Sequence, residues 1–303
     1  MGDVLYASSL AKKLKEQGYD RVVYLNGIPQ VKGMLTRNPY INEVLTTHTP
    51  TNDTHHIAVK EHFDKEIYIQ QCTFIKPPAI QMQIDAEIKN PSPEFEVYTD
   101  PEIDSAVERE YRNRPYVTIM EPTSWEAKTY LFTRDEYKRG IDIPPKGYSG
   151  KNRDVRNIIK IAMKEHPDLS VLYVGADADH PTMSIPFSNG HRSLDLEASL
   201  IKYSIAFIGA EGGLANVAAG GGTRTILTYD FVHQLYGWNG VIRKVSPEPK
   251  LGPRYYFPDV KHVDINPFLS DNEVGIEIGK CLHEDYSGQF NDAIFVGQYA
   301  QCK

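Results

Sequence analysis

Between residues 170 and 230 the chain repeats one pattern: a short apolar run rich in β-branched residues, then a helix-like segment, then another apolar run. The runs are SVLYVG (170–175), IAFIGA (205–210) and RTILTYD (224–230), separated by LEASLIKYS (196–204) and GGLANVAAGGG (212–222). A strand apolar on both faces cannot lie with one side in water. These runs therefore predict a parallel sheet covered by helices on both faces, the β-α-β alternation of an open α/β fold. Upstream, YVTIM (116–120) reads as a further strand, and VRNIIKIAMKEH (155–166) places Val155, Ile158, Ile159 and Ala162 on one helical face.

The first third is less regular. Ala7, Leu10, Ala11 and Leu14 recur at helical spacing before Gly18, which predicts a helix over about 5–17, and RVVYL (21–25) comes next as a buried strand. EIYIQ (66–70) and EFEVY (94–98) read as strands, and IDSAVEREYR (103–112) as a helix. After a loop over 237–259, Ser270 and Glu273 stand at capping-box spacing ahead of a last helix ending near Leu282. The polar, proline-containing RNRPY (112–116) marks a boundary between two lobes. The expected division is 1–114, 115–270 and a C-terminal helix and tail over 271–303.

Composition narrows the class. A net charge of -7 over 303 residues argues against a general grip on nucleic acid or anionic membrane. No apolar run approaches the roughly 18 residues of a membrane span. Cys72, Cys281 and Cys302 are widely spaced and form no Cys/His cluster, which disfavours a disulfide framework or a zinc site and fits a reducing compartment, the cytoplasm.

Three segments carry chemistry, and each comes directly after a strand, where ligands of parallel α/β sheets bind. In IGAEGGLANVAAGGG (208–222) a strand runs into Gly212-Gly213 and a small-residue helix; the N–H groups of Gly212, Gly213 and Leu214 would meet a phosphate, or the small residues serve close packing. In EPTSWEAK (121–128), Thr123, Ser124 and Lys128 could converge on a diphosphate, or cap a helix and sit in solvent. In VGADAD (174–179), Asp177 and Asp179 stand where a carboxylate holds ribose hydroxyls, or form an ordinary Asp-rich turn.

These segments, their order, the opening MGDVLYASSLAKKLK and the run RSLDLEASLIKYSIAFIGAEGGLANVAAGGGTRTI (192–226) together resemble glycosyltransferase family 9, the heptosyltransferase-like enzymes. The resemblance is moderate over 2–14, strong over about 116–229 and loose over 45–110. It implies a GT-B fold, with two Rossmann-like lobes whose parallel sheets face across a cleft, the C-terminal lobe binding the nucleotide sugar. It also implies inverting transfer without a metal or other cofactor. By the same resemblance Asp3 is the catalytic base, Thr123, Ser124 and Lys128 bind the diphosphate, and Asp177 contacts the ribose. Arg192 faces the nucleobase, Glu211 contacts the donor sugar, and Gly212, Gly213 and Leu214 give backbone donors to phosphate. For Asp3 the alternative is a helix cap.

Two departures stand out. The family's Asp-Thr/Ser-Gly-Leu and following histidine are here Glu211-Gly212-Gly213-Leu214 and Asn216, which bears on the donor sugar. The family's first strand, immediately before Gly-Asp, has no counterpart, so the N-terminal lobe is expected to lack it.

The reaction expected is transfer of a sugar from a nucleoside-diphosphate sugar to an acceptor hydroxyl on a saccharide or glycolipid, with peripheral membrane contact as an open partner. The alternatives are a hydroxylated nucleobase of nucleic acid as acceptor, a sugar-nucleotide epimerase, and a non-catalytic nucleotide-sugar-binding module. Arg37, His55, His56 and Lys60 are candidates to line the acceptor site.

Overall fold

The computed structural model of the chain describes residues 2–47, 78–92, 95–120, 154–175, 194–210, 212–230, 260–265 and 270–283. It is an α/β protein with two parallel sheets. The larger sheet takes five strands: β3 (Tyr116–Met120), β4 (Ser170–Val174), β5 (Phe207–Ala210), β6 (Thr225–Asp230) and β7 (Val260–Ile265), in the order β4-β3-β5-β6-β7. All its pairings are parallel, from Tyr116 opposite Ser170 at one side to Asp230 opposite Ile265 at the other.

The apolar runs explain this sheet. Every residue of β3 is buried, as are Phe207, Ile208 and Ile226, so a layer must lie on each face. The layers are α5 (Val155–Ala162), α6 (Asp195–Lys202), α7 (Gly213–Gly220) and α8 (Asp271–Leu282). Helix α5 buries the predicted stripe of Val155, Ile158, Ile159 and Ala162. Helix α8 crosses α5 closely because two glycines face it: a Cβ on Gly275 would lie 2.7 Å from Ile161, and one on Gly279 would lie 2.9 Å from the Ala162 carbonyl. The predicted capping box opens α8, the Ser270 hydroxyl accepting from the Glu273 N–H while the Glu273 carboxylate accepts from the Ser270 N–H.

The first third builds a second, two-stranded parallel sheet from β1 (Val23–Leu25) and β2 (Glu43–Leu45), with helices α1 (Gly2–Glu16), α2 (Lys32–Arg37), α3 (Pro78–Asp85) and α4 (Pro101–Tyr111). Helix α1 starts at Gly2, ahead of the predicted residue 5, and Leu5, Tyr6, Ala7 and Ala11 join the main core. That core is continuous: Val31, Met34 and Leu35 of the first third belong to one cluster with Ile119, Phe207 and Val217.

Two strand expectations are corrected. RVVYL forms only the three-residue β1, with Val23 and Leu25 exposed rather than buried, because β1 has β2 alone as its partner among the described residues. Residues 95–100 are irregular, and instead of a ladder the Val97 N–H makes a 2.9 Å bond to the Gly220 carbonyl at the end of α7. The predicted strand at 66–70 lies outside the described residues. Helix α4 is capped by Asp100, whose carboxylate accepts from the Glu102 N–H, with Pro101 at the first helical position where its missing N–H costs nothing.

Candidate functional site

The strand order fixes where a ligand would enter. From β3 the chain crosses by α5 to β4 on one side; it then returns by α6 past β3 to β5 on the other. The direction of winding therefore reverses between β3 and β5. At such a switch point the two connections leave to opposite faces and open a crevice beyond the carboxyl ends of the strands. Those ends are Met120 and Ala210, and the motif segments 121–128 and 211–214 are attached directly to them.

At β5 the two strands approach closely because Gly209 has no side chain: a Cβ there would stand 2.7 Å from the Met120 Cβ and 3.0 Å from the Phe207 ring. Helix α7 then begins at Gly213, with Gly212, which has no side chain to cap it, at the N-cap. The Gly212 carbonyl accepts from the Asn216 N–H at 3.1 Å. The first-turn N–H groups and the positive end of the helix dipole thus sit at the carboxyl edge of the sheet, next to the switch point. Gly212 and Gly213 are half-buried, whereas the Leu214 side chain is buried in the core, so its contribution to a ligand is confined to its backbone. Across the crevice, Gly175 ends β4 with φ +141°, a backbone geometry that favours glycine.

The packing alternative for the glycines holds at the other end of the same helix. A Cβ on Gly220 would run into the Phe95 ring and lie 2.8 Å from Val97, so here the missing side chain is what lets residues 95–97 lie against the helix.

The start of α1 is tied to this site. The Tyr6 hydroxyl donates to the Asn216 Oδ1 at 2.5 Å, with Tyr6 1% and Asn216 3% exposed. Asp3 precedes Tyr6 by three residues and Gly213 precedes Asn216 by three, so one buried hydrogen bond joins the first turns of α1 and α7. Tyr6 also packs edge-on against Phe95, at 5.2 Å between ring centres. Asn216 is the position where the family pattern has histidine; the sequence marks the departure but carries no sign of its partner 210 residues away.

Among the residues expected to act, Gly212, Gly213 and Leu214 lie at the carboxyl edge of the large sheet. The backbone of Asp3 falls in the first turn of α1 rather than ahead of a later helix. Thr123, Ser124, Lys128, Asp177, Arg192 and Glu211 lie outside the described residues, as do His55, His56 and Lys60. Arg37, also taken as an acceptor contact, is held between two carboxylates: it donates to Asp195 at 2.9 Å, in the first turn of α6, and to Asp100 at 2.7 Å. Its burial works against the charged form, but the Asp195 and Asp100 contacts outweigh it and its pKa is raised. Nearby, Lys202 of α6 bonds the buried Asp104 of α4 at 2.6 Å and Thr99 at 2.9 Å. These pairs fasten α2 and α4 to the face of the large sheet, and sequence periodicity carries no signal for them.

Among the described residues, no cluster of three or more His, Cys, Asp or Glu could hold a metal ion, and no helix is long and apolar enough to cross a membrane. At the level of sequence, no family model and no curated protein matches the chain. Solved structures do. A glycosyl transferase family 9 protein from Veillonella parvula matches with a TM-score of 0.52 at 10% identity, covering 93% of this chain and 93% of that one. The Escherichia coli ADP-heptose lipopolysaccharide heptosyltransferase II matches with a TM-score of 0.41 at 11% identity, over 92% of this chain and 94% of that one. The chain thus shares the fold of glycosyltransferase family 9, the α/β GT-B architecture that the resemblance implies.

Proposed function

We propose that this protein is a glycosyltransferase of the family 9 type. It would move a sugar from a nucleoside-diphosphate sugar to an acceptor hydroxyl, on a saccharide or glycolipid, in one inverting displacement without a metal. The observation that carries this reading is the junction of two helix starts: the Gly212-Gly213 end of α7 beside the β3/β5 switch point, joined through Tyr6 and Asn216 to the first turn of α1. One end suits a diphosphate, the other bears the single acidic residue near the start of α1.

In the proposed reaction Asp3 takes the acceptor hydroxyl's proton as its oxygen attacks the anomeric carbon, and the bond from that carbon to the diphosphate oxygen breaks. The leaving diphosphate gains negative charge. The N–H groups of Gly212, Gly213 and Leu214, with Thr123, Ser124 and Lys128, would stabilise that charge, a task that fixed donors perform without reorganising. Asp177 and Arg192 would hold the nucleoside, and Glu211 the donor sugar.

The decisive experiment takes two steps. Nucleoside diphosphates are screened by thermal shift, since a ligand specific for the folded state raises its apparent stability. The corresponding sugar nucleotides are then assayed for consumption with and without saccharide acceptors. Acceptor-dependent release of nucleoside diphosphate, lost in Asp3→Asn, is the expected result. No thermal shift with any nucleoside diphosphate would overturn the reading, and donor consumption without an acceptor would replace transfer by epimerisation or hydrolysis.

A further inference from the structure

An open cavity of mixed polar and apolar lining lies along α1, spanning about 420 Å³ of space that includes the solvent at its mouth. Its walls are α1 (Ser8, Ser9, Lys12, Lys13), the turn after α2 (Asn38, Tyr40) and Ser92, Phe95, Glu96 and Tyr98. The polar groups are fixed before any ligand arrives. Gln83, wholly buried, donates to the Ser9 hydroxyl and the Ser92 carbonyl at 3.0 Å each and accepts from the Ser92 N–H at 2.8 Å. Glu96 accepts from Lys12 at 3.1 Å and from the Tyr98 hydroxyl, and Asn38 accepts from the Tyr40 N–H at 3.0 Å. The Phe95 ring supplies an apolar floor, and Lys12 lies over the Tyr40 ring at 5.7 Å from its centre.

This lining selects a ligand class. Ammonium and amide groups donate, the Glu96 carboxylate accepts, serine and tyrosine hydroxyls do both, and the rings of Phe95 and Tyr40 offer apolar surface. An inorganic anion would face the Glu96 carboxylate. An apolar ligand would strip water from Lys12, Lys13 and Glu96 with no compensation. A sugar ring answers all three features, with hydroxyls that donate and accept around its rim and C–H groups on its faces. The positions fit a distal unit: Ser8 and Lys12 come five and nine residues after Asp3, roughly 7 and 13 Å along a helix rising 1.5 Å per residue. That is the reach of an oligosaccharide.

We infer that this cavity is a subsite for one sugar residue of a saccharide ligand. Its assignment to the acceptor chain rests on the glycosyltransferase reading above; its ligand class rests on the lining alone.

The test uses the full chain and saturation-transfer NMR with the methyl glycosides of glucose, galactose, mannose and N-acetylglucosamine at millimolar concentration. At least one should receive saturation. The Lys12→Ala/Tyr40→Ala double variant should abolish that signal, and Tyr98→Phe, which keeps the ring but removes the hydroxyl from the lining and one of the two donors to Glu96, should weaken binding about tenfold. Circular dichroism monitors folding, and Tyr98→Phe decides alone if the double variant does not fold. Absence of saturation for every glycoside, or a signal that survives the variants, overturns the subsite, whatever nucleoside diphosphates do. Glycoside binding that responds to these variants in a protein giving no thermal shift with any nucleoside diphosphate sustains the subsite and rejects the glycosyltransferase reading.

Discussion

Helix α7 is glycine-rich at both ends, and the two ends use glycine for opposite purposes. At the amino end, Gly212 and Gly213 bring no side chain to the first-turn N–H groups, at the carboxyl edge of the sheet where ligands of parallel α/β folds bind. At the carboxyl end, the space beside Gly220 is filled by Phe95 and Val97, and the Gly220 carbonyl takes the Val97 N–H. The same residue type marks access in one place and close packing in the other. Only the neighbours distinguish them.

The strongest way to break this comparison is at the access end. Lys128→Ala removes a donor proposed to face the same diphosphate, and turnover with a confirmed sugar nucleotide should fall by about 10²–10³-fold with the melting temperature unchanged. Unchanged turnover would take Lys128 out of the site. At the packing end, Gly220→Val drives a branched side chain into the Phe95 ring and should destabilise the protein by about 1–3 kcal/mol. Its nucleoside-diphosphate thermal shift should persist, so a lost shift in a folded Gly220→Val protein would mean the two ends are not separate. Gly213→Pro reverses the pattern. Proline is accepted at a first helical position but has no N–H, so donor affinity should drop about tenfold while stability changes by less than about 1 kcal/mol.

Tyr6→Phe tests the tie between helices. It leaves the buried Asn216 oxygen without its hydroxyl donor, at a cost of about 1–3 kcal/mol measured by chemical denaturation. If the bond also holds Asp3 in place, turnover falls while donor affinity does not. The smallest effect is that of pH at Arg37. Burial alone would raise the Asp100 pKa, but the Glu102 N–H and the Arg37 charge outweigh it and hold it below its usual value. A carboxylate depressed in the folded state stabilises at neutral pH and loses that contribution as pH falls through its folded pKa. Arg37→Met should therefore be less stable than the parent near pH 7, by about 1 kcal/mol or less for this partly exposed pair, and the gap should narrow in acid. A gap independent of pH would assign it to packing of the arginine stem.

Sequence reading succeeds where one residue pattern has one physical solution. The mainly apolar runs 116–120 and 207–210 could be little other than buried strands, and Ser270 with Glu273 fixes a helix start through two reciprocal bonds. It fails where the determinants are distant. EFEVY alternates like a strand, yet Phe95 and Val97 answer to Gly220, and nothing local encodes that. Strand β2 is three partly exposed residues, and α2 is a six-residue turn carrying Gly33, both too short for periodicity to emerge. Strand β7, VKHVDI, mixes polar and apolar residues and carries no continuous apolar signal. The motif at 208–222 puts a helix start at the carboxyl edge of the sheet. Its link to α1 needs Tyr6 to be seen against Asn216.

That link also sets an order of events in time. During synthesis Tyr6 leaves the ribosome before Asn216, which emerges 210 residues later, roughly ten to forty seconds at 5–20 residues per second. Through that interval α1 has no hydroxyl acceptor for Tyr6 and no α7 to cover its apolar side. The bond between the starts of α1 and α7 can therefore close only after β3, β4 and β5 have been made, so the two halves of the proposed site are joined late in synthesis.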